Sequence, residues 1–207
     1  MEIKTILKEV TSTIIVEKSK FIAFLFPFDS KKQIEAKLDE LRSKYFDATH
    51  VCYGYIVYDN EMTLYKSSDD GEPSQTAGAP ILNVLKRNNL MNVLCVVVRY
   101  FGGIKLGAGG LTRTYSNAAV AALNEASIVT LDDAYKNQVI FAYDRIKDID
   151  KILLLNQIEI IDKIYDMEVC YEVLIYDKSI IEELEKKVSY LNVKIVEKEI
   201  VQTRKKI

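Results

Sequence analysis

The stretch Arg99–Tyr115, RYFGGIKLGAGGLTRTY, decides how the rest of the chain is read, because it holds five of the eight glycines between a β-branched run and an alanine-rich one. Val93 to Val98 reads as a buried strand and Leu111 to Ala126 as a helix, so the glycines fall where the backbone turns from one to the other. Amide groups at such a turn point outward, and an anion suits them. Charge agrees. No Asp or Glu occurs from Pro73 to Asn124, while Lys86, Arg87, Arg99, Lys105 and Arg113 all fall inside that span; the net charge is −2, so the rest of the chain carries −7. Segregated positive charge favours a phosphate-bearing partner. The residues expected to bind an anion or RNA are therefore Arg99, Gly102, Gly103, Lys105, Gly107, Gly109, Gly110 and Arg113. The loop is neither a Walker A sequence nor GxGxxG, so what it offers is general: amides at a helix start, with the macrodipole behind them.

A chain of 207 residues, 49% hydrophobic, can bury a core, and two small domains describe it better than one. No apolar run approaches the ~20 residues of a membrane span, and MEIKTILKEV lacks the apolar core of a secretory signal, so a cytoplasmic protein is expected. Cys52, Cys95 and Cys170 are odd in number and lack CxxC spacing, which indicates neither a disulfide framework nor a zinc site. They are expected to pack as small buried hydrophobes.

Every glycine lies between Gly54 and Gly110 and every proline at or before Pro80. The pattern changes at Asp132, Asp133 and Ala134, which places the domain boundary near residue 135 and gives domains of 1–134 and 135–207. In the first, strands at Ile3 to Val10, Thr13 to Glu17 and Phe21 to Phe28 precede a helix capped by Ser30. A hairpin follows around Asp59 and Asn60, then a turn-rich loop from Ser67 to Gly78, a helix from Ala79 to Arg87, the Val93 strand, the glycine loop, its helix and a last strand at Ile128 to Leu131. This is an α+β domain with helices expected on one face of a mixed sheet. The second domain reads βαββαβ, the ferredoxin-like order.

Asp69, Asp70 and Glu72 place three carboxylates within four residues, a pattern that either holds a hard cation or forms a solvated Asp-Gly turn, and that could receive Lys105 or an arginine. His50 and Cys52 share a strand face, but a nucleophilic pair also needs contact and an orienting third group. No metal site is expected. The tyrosines read as strand packing.

KSKF at Lys18 to Phe21, THVCY at Thr49 to Tyr53, DDGEPSQTAGAPI at Asp69 to Ile81 and VVVRYFGGIKLGAGGLTRTY at Val96 to Tyr115 resemble, in that order, the YigZ/IMPACT family. Gln75 and Ala79 depart from it, standing where glycine and a longer residue are frequent. The resemblance covers the whole chain, since bacterial members pair this N-terminal domain with a ferredoxin-like one. It implies an N-terminal fold of the ribosomal-protein and elongation-factor kind, with a left-handed βαβ crossover, and a domain pair similar to domains IV and V of elongation factor G. Eukaryotic relatives regulate translation by binding the activator of an initiation-factor kinase, a partner that does not carry over to bacteria. The resemblance brings no enzymatic activity and no cofactor.

The expected function is binding of RNA, a ribosome or a translation factor. The alternative is a small-molecule enzyme that holds a phosphate or nucleotide at the glycine loop, with Asp69, Asp70 or Glu72 acting on a metal or proton and His50 as an accessory group. A protein-interaction module is a third class. The acid-free span favours a polyanion over a neutral protein surface, while an isoelectric point near 5.6 argues against tight non-specific duplex binding.

Overall fold

In the computed structural model, which describes residues 3–59 and 62–206, β6 (Val93–Tyr100) is the central strand of a five-stranded sheet. Its run of valines is buried on both faces: Val93, Cys95 and Val97 join one core, and Leu94, Val96 and Val98 join another. On one side of it lie β3 (Ser19–Pro27) and then β2 (Val10–Val16); on the other lie β4 (His50–Asp59) and β5 (Met62–Ser68). All four pairings are antiparallel, so the mixed sheet expected from sequence is not found. Because β3 and β4 both run against β6, they are parallel to each other, and α1 (Lys31–Lys44) is the crossover of the expected βαβ unit. Asn60 of the anticipated hairpin turn lies outside the described residues.

Helices cover both faces rather than one. Ile34, Leu38 and Leu41 of α1 pack on the face bearing Tyr53, Tyr55 and Val96. Two helices, α2 (Gly78–Arg87) and α3 (Gly107–Asn124), cover the other. Leu111, Tyr115, Ala118, Ala119 and Ala122 form the buried stripe of α3, at the spacing of one helix face. Its small alanines let the helix lie close to the sheet. Ser30 caps α1 through Gln33 N, and basic Arg42 and Lys44 close its last turn, as charge and capping rules favour.

The strand expected over Ile3 to Val10 is broken, β1 covering Lys4–Ile6 and β2 starting only at Val10, and two other local features differ from the sequence reading. The helix α3 begins at Gly107, four residues before the expected Leu111. Glycine costs roughly 1 kcal/mol in a helix interior but much less in a first turn, and here the hydroxyls of Thr112 and Thr114 donate back to the Ala108 and Gly110 carbonyls at 3.0 and 2.8 Å. Strand β7 (Ile128–Phe141) runs unbroken through Asp132–Ala134, where a turn was expected. Its first residues pair with β1 (Lys4–Ile6) and its residues from Tyr135 onward pair with β9 (Val169–Ile175), so ladder bonds on both stretches hold it extended.

The chain divides into two compact units, Met1–Leu131 with Arg204–Ile207, and Asp132–Thr203. In the second unit α4 (Ile146–Leu155), β8 (Glu159–Tyr165), α5 (Lys178–Val188) and β10 (Lys194–Lys206) complete the sequence βαββαβ, with strand order β10-β7-β9-β8. That order is ferredoxin-like. Asp177 caps α5 by accepting from Ser179 N at 2.9 Å.

Candidate functional site

The sheet registers build the site. Phe21 and His50 both lie directly opposite Arg99, so three adjacent strands place them in one row on the face that α3 covers. The Arg99 guanidinium lies between two rings, 5.3 Å from the Phe21 centroid and 5.5 Å from that of Phe101. From the loop before α2, Glu72 enters the same space. Its Oε1 accepts from Arg99 Nη1 at 2.5 Å and from the Tyr115 hydroxyl at 2.7 Å, and its Oε2 lies 3.8 Å from His50 Nε2. Burial first, then Cys52 and Glu72, hold the Tyr115 phenol well above its ordinary range, so it remains a donor. His50 Nδ1 lies 2.7 Å from the Asp70 carbonyl, which can only accept, so Nδ1 carries the proton and Nε2 faces the carboxylate.

The other two acids serve the loop itself. Asp69 accepts from Gln75 N, Ala77 N and Gly78 N at 2.8–2.9 Å, tying the loop to the start of α2. Burial raises its pKa, but these three bonds together lower it by more, so the carboxyl titrates below its ordinary range. Asp70 accepts from Val51 N at 2.6 Å, and Asp70 and Gly71, at φ +46° and +86°, form the centre of a tight turn closed by Glu72 N on the Asp69 carbonyl. Gln75 stands at φ +63°, in the left-handed region that favours glycine. Among the described residues no group of three or more His, Cys, Asp or Glu side chains is placed to hold a metal ion.

The glycines divide by role. Gly102 packs against the Lys18–Ser19 backbone so closely that an added Cβ would collide with it, and its N–H donates to Ser19 Oγ at 3.1 Å. That contact ties the KSKF hairpin to the loop. Gly103 and Gly107 have φ of +91° and +67°, and a Cβ at either, or at Gly109, would meet open space. Leu106 precedes α3 without a side-chain cap, which leaves first-turn amides unused by any cap.

A cavity of about 420 Å³ opens beside this turn. Gly107 and Ala108 of α3 line it together with Lys105, Phe101, Arg99, Glu72 and His50. Lys105 is exposed and makes no ion pair among the described residues. Arg99 is buried at its wall. Arg113 is exposed on α3 and is not among the lining residues. Sequence reasoning singled out neither Phe101 nor Tyr115; their roles depend on strand register and on the helix face.

The single S–H of Cys52 has two acceptors in reach, the Asp69 carbonyl at 3.0 Å and the Tyr115 hydroxyl at 3.4 Å. Burial pushes its thiol up to about 12, and Cys95 is likewise pushed up to about 12. A His50–Cys52 nucleophile is thereby disfavoured. Cys170 is half-buried rather than fully buried, because it faces the side of its sheet opposite Val169 and Tyr171.

The fold and cavity define a two-domain α+β protein whose N-terminal unit presents a glycine turn, a helix start and a buried Arg–Glu pair. Residues 17–123 match the Impact N-terminal domain, and the chain belongs to that family. It is 42% identical over 116 residues to the IMPACT family member YvyE of Bacillus subtilis, an alignment covering 56% of this chain and 53% of that one. It is 36% identical over 111 residues to the IMPACT family member YigZ of Escherichia coli, covering 53% and 54% of the two chains. The chain thus spans about half the length of these curated relatives. A crystal structure described as a hypothetical protein is 27% identical with a TM-score of 0.64, covering 96% of this chain and 98% of that one.

Proposed function

We propose that the chain binds RNA or a ribonucleoprotein surface through a phosphate group seated between Lys105 and the first turn of α3. The observation that carries this reading is the meeting of an exposed lysine, uncapped helix amides and Arg99 at one concavity, within a span free of acids from Pro73 to Asn124. Glu72, the single carboxylate at the wall, is already engaged by Arg99 and Tyr115. Membership of the family supports a connection with translation, so a ribosome or translation factor is the macromolecular partner. No helix among the described residues is long and apolar enough to cross a membrane.

The rival reading is a small-molecule enzyme that holds a phosphate at the same turn; the placement of His50 Nε2 3.8 Å from the Glu72 carboxylate, at the cavity wall, favours it. Equilibrium binding of single-stranded RNA and co-sedimentation with ribosomal particles test the two. The proposed function requires both to weaken in Lys105→Ala with thermal stability unchanged. Retained RNA and ribosome binding, together with lost nucleotide turnover in Lys105→Ala, would transfer the assignment to the enzyme.

A further inference from the structure

The cavity beside α3 also suits one particular part of a nucleic acid. We infer that it takes a single terminal nucleotide bearing a phosphomonoester, either the end of an RNA strand or a free mononucleotide; the inference rests on the phosphate reading above.

Charge is the first ground. Arg99 and Glu72 cancel, leaving Lys105 and the partial charge of the helix start, together roughly +1.5. A phosphomonoester carries about −1.5 to −2 near neutral pH, whereas a phosphodiester within a strand carries one charge. The balance fits an end better than a backbone.

Arg99 is the second ground, and it is independent of the helix. Its side chain is 6% exposed and lines the cavity, yet Glu72 Oε1 takes only Nη1, and Nε has no hydrogen-bond partner. An unsatisfied donor on a buried guanidinium costs free energy, so this side chain has hydrogen-bonding capacity left over at a cavity it lines.

Shape is the third. Phe101 is 46% exposed at the cavity and packs beside the Arg99 guanidinium, offering ring surface to a base. Leu106 and Pro73 extend that apolar surface, while Thr49 and Glu72 Oε2 are polar groups within reach of ribose hydroxyls or a base edge. A space of about 420 Å³ lies at the small-ligand end of the usual pocket range.

The test compares one short single-stranded RNA in four forms: 5′-phosphorylated, 3′-phosphorylated, with hydroxyls at both ends, and circularised. AMP serves as competitor. One phosphorylated linear form is expected to bind at least ten-fold more tightly than the hydroxyl-ended and circular forms, and AMP to displace it. Phe101→Leu, at an exposed position, is expected to weaken that binding roughly ten-fold without lowering the melting temperature. AMP binding that Phe101→Leu weakens, with no binding of any RNA form, would uphold the inference through its free-mononucleotide arm and reject the RNA reading. Equal binding of circular and linear forms would overturn the inference while leaving phosphate recognition standing. Absence of binding to every form and to AMP would overturn both.

Discussion

Arg99 Nη1 and Glu72 Oε1 meet at 2.5 Å, with their side chains 6% and 3% exposed, and so join the glycine-loop strand to the acidic turn across 27 residues of sequence. Buried ion pairs are costly to break because the surviving charge is left uncompensated. Arg99→Leu should therefore destabilise the protein by about 3–5 kcal/mol in urea unfolding. Glu72→Gln keeps an acceptor for Arg99 and Tyr115 but leaves the buried guanidinium uncompensated, and should cost a similar amount. A Glu72→Gln variant that costs little would show that the charge pairing is not what holds this corner.

Gly102 and Gly109 sit seven residues apart and should respond to alanine in opposite ways. At Gly102 the new methyl group would collide with the Lys18 carbonyl, so Gly102→Ala should cost several kcal/mol or abolish folding. At Gly109 it meets open space in the first helix turn, where glycine costs less than in the interior, and the substitution should stabilise by less than about 1 kcal/mol. Denaturant midpoints for the two variants measure this directly. A destabilised Gly109→Ala would contradict the helical role given to that turn.

Acid should loosen the acidic turn through Asp69. Its carboxyl titrates below the ordinary range because three backbone amides donate to it, so the folded state binds that proton less readily than the unfolded chain does. The stabilisation is fully present above the unfolded value of about 4 and is lost as pH falls through the lower folded value. Asp69→Asn should flatten that part of the stability profile, below about pH 4. An unchanged acid limb in the variant would remove Asp69 from this role.

The three thiols should differ in rate. Cys52 and Cys95, buried and pushed up to about 12, should resist a thiol reagent at pH 8 until the protein unfolds, whereas half-buried Cys170 reacts first. Mass mapping of the earliest adduct checks the order. Early modification of Cys52 would revive a reactive His50–Cys52 pair.

Much of this structure is legible along the sequence, and the exceptions have physical causes. The second unit's βαββαβ order follows from clear alternation and helical spacing, and Ser30 signals its helix directly. The true start of α3 is hidden because glycine has the weakest helix propensity short of proline, and tertiary packing of Leu111 and Tyr115 overrides it. Asp132 and Asp133 resemble a turn, but ladder pairing to β1 and β9 keeps β7 extended. Coverage of both sheet faces was implicit in the unbroken apolar run of β6. The meeting of His50, Glu72, Arg99 and Tyr115 could not be read from spacing, since register alone sets His50 opposite Arg99.

The most direct measurement is the salt dependence of single-stranded RNA binding by the wild-type chain and by Lys105→Ala. If Lys105 holds one phosphate, the variant should bind more weakly at low salt, and its slope of log K against log salt should be shallower by about 0.7. Superimposable titrations for the two proteins would contradict the central claim that a phosphate sits between Lys105 and the first turn of α3.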